Sequence, residues 1–432
     1  MSPIVVWFRN DLRLHDNGSL NQAMRLIQSK TARYVIPVYC YDPRYFGRDA
    51  RARGTGLPKT GVHRQRFIAE SLRDLRNSLR GIDSDLLIFD GRPEDVFAKL
   101  LPRGSTIITQ KEVTQEEIDI DNLVTKAGFR LQTIWGLTMY DLGDFLAKRG
   151  FAKGADFSSC TSMINAAKQK GIEPRPLLPT PQIGDLPFPD TAPRFPKDSK
   201  TQGANATNDE DQKNEIPDEY TDTAERFEWY WKARVQGPFL YDGDTGERSV
   251  YDDDYRYDVD PRGVMGGSTL GTFGFKHDQG IRGGETAGLK RVTHYLVPKL
   301  VNKYKETRNR MLGADYSSKF SSWLAHGCVS PRLIYHRIKE HEEKDGGSNR
   351  GTSSLIWELS WRDFFIFYTR THNPKIFFIN GVHPRKDAVW VSKERAKPLF
   401  QKWIKGETGY CKSGSGGTRV LQKWIRGAPG HV

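Results

Sequence analysis

The feature that most constrains this chain is an alternation, over its first 134 residues, of short apolar runs with longer amphipathic stretches. Residues 4–8 (Ile-Val-Val-Trp-Phe) hold no polar position and read as a strand. Further strands are predicted at 34–39, 85–89, 105–109 and 130–134. Helices are predicted after Gly18 and Ser19, then at 63–79, 93–100 and 116–126. Strands alternating with helices mean a parallel sheet covered on both faces. The predicted fold is therefore an N-terminal α/β domain (1–142) with a parallel, Rossmann-like sheet, followed by an all-α domain. Such sheets bind ligands outside their carboxyl ends, where residues 9–16 and 110–117 fall. No Gly-x-Gly-x-x-Gly follows the first strand, which argues against an ordinary dinucleotide site there.

The pattern dissolves between 143 and 242, which reads as an interdomain linker. Residues 174–196 are proline-rich, and 197–222 are polar with mixed charge, the composition of a disordered insert or tether. Residues 225–232, with Phe227, Trp229, Tyr230 and Trp231, read as a segment packing on a neighbouring domain. Asp252, Asp253 and Asp254 cluster without the spacing of a calcium loop, and residues 263–284 are glycine-rich.

Helices dominate from 284. Residues 284–304 carry Leu289, Val292, Tyr295 and Leu296 at helical spacing. In residues 316–327, Ser317, Ser318 and Lys319 precede an apolar run, which suits either an anion site at a helix start or ordinary capping. His326 reads as structural. Val329-Ser330-Pro331 opens a further helix, made basic by Arg332, Arg337 and Lys339. Residues 352–371 contain neither Gly nor Pro, and Glu358, Trp361, Arg362 and Phe365 share one helical face. An acid, a base and two large aromatics suit a wall that stacks a flat ring and hydrogen-bonds its edge. The plain alternative is a buried helix with a satisfied Glu–Arg pair.

A length of 432 residues implies more than one domain, and a net charge of +13 favours an anionic partner such as nucleic acid. Cys40, Cys160, Cys328 and Cys411 are scattered, with neither metal nor disulfide spacing, as in a reducing compartment. No apolar run reaches membrane-spanning length, and the N-terminus enters a strand without a leader pattern. The expectation is an intracellular soluble protein of the cytoplasm, nucleus or an organelle, monomeric, and binding neither membrane nor metal.

Residues 7–17 (Trp-Phe-Arg-Asn-Asp-Leu-Arg-Leu-His-Asp-Asn) resemble the opening of the photolyase–cryptochrome family. Residues 59–61, 85–94, 135–140, 283–286, 316–327 and 358–365 resemble its cryptochrome DASH branch, in the same order along the chain. The resemblance implies an antenna folate, 5,10-methenyltetrahydrofolate, on the α/β domain near residues 112–117, and FAD in the helical domain. It implies a photolyase that splits cyclobutane pyrimidine dimers in single-stranded DNA by photoinduced electron transfer, or a blue-light photoreceptor. By position, Tyr304, Ser317, Ser318, Lys319, Phe320 and Ser321 match the FAD contacts, and Arg362 the arginine at the flavin–substrate boundary. Glu358 and Trp361 match the acid and indole that take the dimer, as catalytic residues and, with Arg362, as DNA contacts. Arg332, Arg337 and Lys375 are candidates for phosphates, and Trp390 and Trp403 for the outer electron-transfer chain. After Tyr410 the family continues with Pro-x-Val-Asp-Ala, whereas this chain runs Cys411-Lys412-Ser413. The helical FAD/DNA-binding domain is therefore expected to be partial (243–410) and followed by an unrelated tail (411–432), as from truncation or alternative splicing. The alternative function is a non-catalytic light-sensory or nucleic-acid-binding protein.

Overall fold

The computed structural model describes residues 3–46, 50–51, 58–148, 157–189, 281–297, 299–310, 315–378, 381–383 and 398. Five strands, β1 (Ile4–Phe8), β2 (Val35–Tyr41), β3 (Leu87–Asp90), β4 (Thr106–Gln110) and β5 (Arg130–Ile134), form one sheet in the order β3-β2-β1-β4-β5. Every neighbouring pair is parallel. β1 and β2 are buried along their whole length, as apolar runs inside a two-sided sheet must be. The chain winds outward in both directions from β1, so the boundary between β1 and β4 is the topological switch point.

The crossovers are α1 (Gly18–Gln28), α2 (Pro43–Phe46) and α3 (Val62–Arg80), α4 (Pro93–Leu100), and α5 (Gln115–Lys126). One sheet face packs Val5, Trp7, Ile36 and Val38 on Val96, Phe97, Ile120 and Val124. The other face carries Val6, Phe8, Leu20 and Leu72 into a core that continues without a break to Tyr295, Ile334 and Leu355. The α/β and helical modules therefore share one core.

The predicted elements are found with ends moved by one or two residues. Two expectations need correction. The stretch from 143 is not all linker: α6 (Leu142–Leu146) and α7 (Cys160–Lys170) lie at its start. The apolar positions of α7 are Cys160, Met163 and Ala167, small residues that leave little hydrophobic signal. The helix predicted over 284–304 is broken. α8 (Glu285–Leu296) stops ahead of Pro298, a residue with no amide hydrogen to continue the helical ladder, although Val297 before it still has helical dihedrals. Lys299 is left-handed, and a 3-10 turn (Leu300–Lys303) leads into α9 (Tyr304–Thr307).

α10 (Ser321–Ala325), α11 (Pro331–Lys344), α12 (Arg350–His372) and a 3-10 turn (Lys375–Phe377) complete the helical part. α12 joins two cores. Leu355 and Leu359 enter the shared core, while Phe364 and Phe367 pack with Phe145, Phe157 and Met163. The insert (197–222), the aromatic segment (225–232), Asp252–Asp254, Trp390, Trp403 and the tail (411–432) lie outside the described residues.

Candidate functional site

α12 is fixed at its start by a capping box. Asn349 accepts from the Gly351 and Thr352 amides, and Thr352 Oγ1 accepts from the Asn349 amide. Gly351 permits a close crossing: a Cβ there would lie 2.1 Å from the Val301 carbonyl oxygen. The helix then carries its chemistry in one span. Trp361 stacks on Phe365 (5.6 Å between centroids, 29° between planes) and meets Trp357 and Phe364 edge-on. Phe365 is 57% exposed, so the wall faces solvent. Glu358 pairs with Arg308 at 2.5 Å and not with Arg362.

Arg362 leaves this wall. It donates to the Leu137 and Leu324 carbonyls at the boundary of the two modules, and burial pulls its guanidinium below the ordinary value. Asp363, next in sequence, accepts from the Met139 and Tyr140 amides at 3.1 and 2.9 Å. Burial raises its carboxyl to about 7. Sequence reasoning missed Asp363; the available signal was an acid inside the apolar run 355–367.

The serine–lysine loop lies beside the wall. Tyr304 faces Ser317 and sits within electrostatic reach of Glu358 and Arg308. Ser317 and Lys319 are both left-handed, at φ 64° and 61°. Arg291 secures the loop through the Ser318 carbonyl (3.0 Å) and Asp315 (3.1 Å). Burial, then the nearby Arg291 charge, lowers the Lys319 ammonium. Neither Ser317 nor Ser318 caps α10, whose N-cap is Phe320 and whose five residues make a weak dipole. What remains at the site is a donor set of hydroxyls and cations. Ser321 opens α10, exposed. The Phe320 ring belongs to the core, edge-on to Tyr295 at 5.8 Å, so only its backbone faces the loop.

Residues 9–16 lie at the carboxyl end of β1 as predicted, but protein fills the loop. Arg13, buried, donates to the His15, Asp16 and Gly327 carbonyls. Glu285 accepts from the Leu14 and His15 amides and pairs with His15 Nδ1. Asp16 takes Arg332 through two bonds (2.7 and 3.0 Å), together with the Ser330 hydroxyl. Arg332 is thus a joint between modules and is withdrawn as a phosphate contact. Of the other phosphate candidates, Arg337 pairs with Glu340 and Lys375 is exposed. His326 is buried beside Phe67, with its imidazole lowered to about 4 by desolvation, as suits a structural residue.

A second polar cluster gathers beside residues 112–117. Asn10 and Gln110 donate to Glu112, and Arg9 to Asp121. Burial raises Asp11 to about 6 and also raises Glu117. Arg9 Nε, Asp11 Oδ2, Glu117 Oε2 and Tyr45 Oη are buried without a partner. Buried polar atoms are rarely left so unless a ligand or water completes them. A separate surface cavity of about 580 Å³, lined by Lys305, Asn349, Arg350 and Ser353, opens at the amino end of α12 and touches neither cluster.

The sequence profile of the DNA photolyase family matches residues 4–182. Cryptochrome DASH of Xenopus laevis is 33% identical over 414 residues, covering 94% of this chain and 64% of that protein. The chain thus spans less than two thirds of that relative. Cryptochrome DASH of Synechocystis sp. is 32% identical over 424 residues, covering 94% of this chain and 68% of that protein. The crystal structure of the Synechocystis cryptochrome superposes with a TM-score of 0.66 at 32% identity, over 95% of this chain and 69% of that one.

Proposed function

The chain belongs to the cryptochrome DASH branch of the photolyase–cryptochrome family, and on that premise we propose that it is a blue-light flavoprotein repairing cyclobutane pyrimidine dimers in single-stranded DNA. The observation that carries this reading is the adjacency of two chemically distinct surfaces, the Glu358–Trp361–Phe365 wall and the Ser317–Lys319 loop, bridged by Tyr304.

The donor set fits FAD. Ser317, Ser318, Ser321 and Lys319 suit a diphosphate, since one short loop carries three hydroxyls and an ammonium, and the neighbouring Asp315 carboxylate is already bound by Arg291 and His294. Tyr304 would bound the same cofactor, the Phe320 backbone would shape its loop, and Arg362 would close the side towards the α/β module. When bound and reduced, FAD supplies the light-driven electron that splits the dimer and takes it back afterwards. The chain's own residues position the substrate. A dimer must leave the base stack to be reached, which costs a few kcal/mol, and stacking on Trp361 returns about 1–3 kcal/mol. Glu358 would accept from the base edge, and Arg308 sets its orientation until the base arrives. The orphaned atoms around Glu112 and Glu117 support the folate antenna there. Lys375 and the positive charge of the chain support retention of DNA that weakens with salt.

The test is to purify the 432-residue chain, record its flavin absorbance, and follow blue-light repair of a thymine-dimer oligonucleotide, single-stranded against duplex. Bound flavin with repair of the single strand supports the proposal. A flavin-loaded chain that retains the DNA but leaves the dimer intact points to the light-sensory reading.

A further inference from the structure

After α7 the chain turns at Gly171, which is left-handed (φ 60°), and runs Ile172-Glu173-Pro174-Arg175-Pro176-Leu177-Leu178-Pro179-Thr180-Pro181. Pro174, Pro176, Pro179 and Pro181 have their φ fixed by the ring, and Glu173, Arg175, Leu178 and Thr180 each precede a proline and are kept from helical geometry. From Glu173 to Pro181 only Leu177 is unconstrained. The local chemistry dictates a polyproline II strap with three residues per turn.

From Pro176 to Pro181 its exposure follows that period, whereas Pro174 is buried and Arg175 is exposed. Pro176 and Pro179 form one exposed edge, Leu177 (39% exposed) and Thr180 a second, while Leu178 is half-buried and Pro181 buried. The inward side is tied down. The Leu178 amide donates to Asp16 Oδ1 at 3.0 Å, and His336 Nε2 donates to the Arg175 carbonyl at 2.9 Å. Arg175 bridges Asp141 and Asp144, and Leu186 and Phe188 anchor the downstream end in the two sheet-face cores. The strap is therefore ordered before any partner arrives, so a partner would bind it without the usual ordering cost. It also presents an apolar ridge, Pro176-Leu177-Pro179, to water.

We propose that this strap is a docking site for a polyproline-reading protein module, one whose aromatic-lined groove takes Pro-x-x-Pro ligands. Pro176 and Pro179 are the Pro-x-x-Pro pair, and Leu177 is the apolar residue between them. Arg175, held sideways by Asp141 and Asp144, gives the ridge a polar end and hence a direction.

The test titrates the full chain with a set of purified SH3 and WW domains by calorimetry, with a proline-rich peptide as competitor. Saturable one-to-one binding by at least one domain is expected, displaced by the peptide. Pro176→Ala with Pro179→Ala should weaken it roughly tenfold, about 1.4 kcal/mol. Leu177→Glu, which leaves every proline in place, should weaken it as well, and Leu123→Ala on α5 should not. Failure of every domain to bind, or binding indifferent to both strap variants, overturns the proposal.

Discussion

Replacing Arg332 with methionine separates two readings of that residue. Its guanidinium makes two bonds to Asp16, whose side chain is 0% exposed while that of Arg332 is 8% exposed. Removing the cation leaves a buried carboxylate whose side-chain hydrogen bonds come from the Ser330 hydroxyl and the Leu178 amide, with the Arg13 guanidinium, engaged on backbone carbonyls, as its nearby charge. Breaking a buried pair in this way costs about 3–5 kcal/mol, against about 0–1 for an exposed one. That is a large share of a total stability of roughly 5–15 kcal/mol. With a urea slope near 2 kcal/mol per molar, the unfolding midpoint should fall by about 2 M, read by tryptophan fluorescence. Adding Asp16→Asn should restore part of the loss, because the amide carries no charge: its oxygen can still accept from the Leu178 amide while its NH2 donates to the Ser330 hydroxyl oxygen. A loss under about 1 kcal/mol, accompanied by weaker DNA retention at low salt, would refute the joint and reinstate the phosphate contact.

Three further outcomes follow from the site. Ser317→Ala with Lys319→Ala should lower the flavin carried by the purified chain, measured as absorbance per chain after denaturation; unchanged content removes the anion-site assignment. Trp361→Ala should weaken binding of dimer-containing DNA by about 1–3 kcal/mol and of undamaged DNA by less, in paired fluorescence titrations; equal losses reduce the indole to packing. Asp363 governs a pH effect. Burial raises its folded value from 3.8 to about 7, so the folded state holds the proton more tightly than the unfolded one. Its contribution to stability is full below about 4 and is lost as pH rises through 7. Asp363→Asn should flatten urea midpoints over that window, and an unchanged slope would place the titration elsewhere.

The α/β half was legible because short strand-like runs, wholly apolar in β1 and more polar by β5, alternate regularly with amphipathic stretches, a signal that does not depend on distant partners. The long helix was legible for the same local reason, an uninterrupted periodic stretch. The rest rests on contacts that sequence spacing cannot show. Glu358 and Arg362 stand four apart and looked like a pair, yet Glu358 finds Arg308 and Arg362 finds two carbonyls. Arg332 looked like surface charge because Asp16 lies 316 residues away. The serine–lysine loop precedes a helix, as expected, but its left-handed Ser317 and Lys319 replace the helix-capping geometry that Ser and Lys before an apolar run suggest. Non-glycine residues rarely adopt that region, so no local pattern announces it.

α12 makes the joint and the site inseparable. Arg362 and Asp363 hold the 135–140 loop of the α/β module, while Glu358, Trp361 and Phe365, one turn away or less, form the exposed wall. A rigid helix cannot shift one set without the other. Loosening Asp363 should therefore move Trp361 relative to Tyr304 and the serine–lysine loop, and a misplacement of about 1 Å can cost 100-fold in a reaction that depends on geometry. Asp363→Ala should lower dimer binding and flavin retention together even though Asp363 touches neither ligand, whereas Phe365→Ala, on the exposed wall alone, should lower dimer binding and leave flavin content intact.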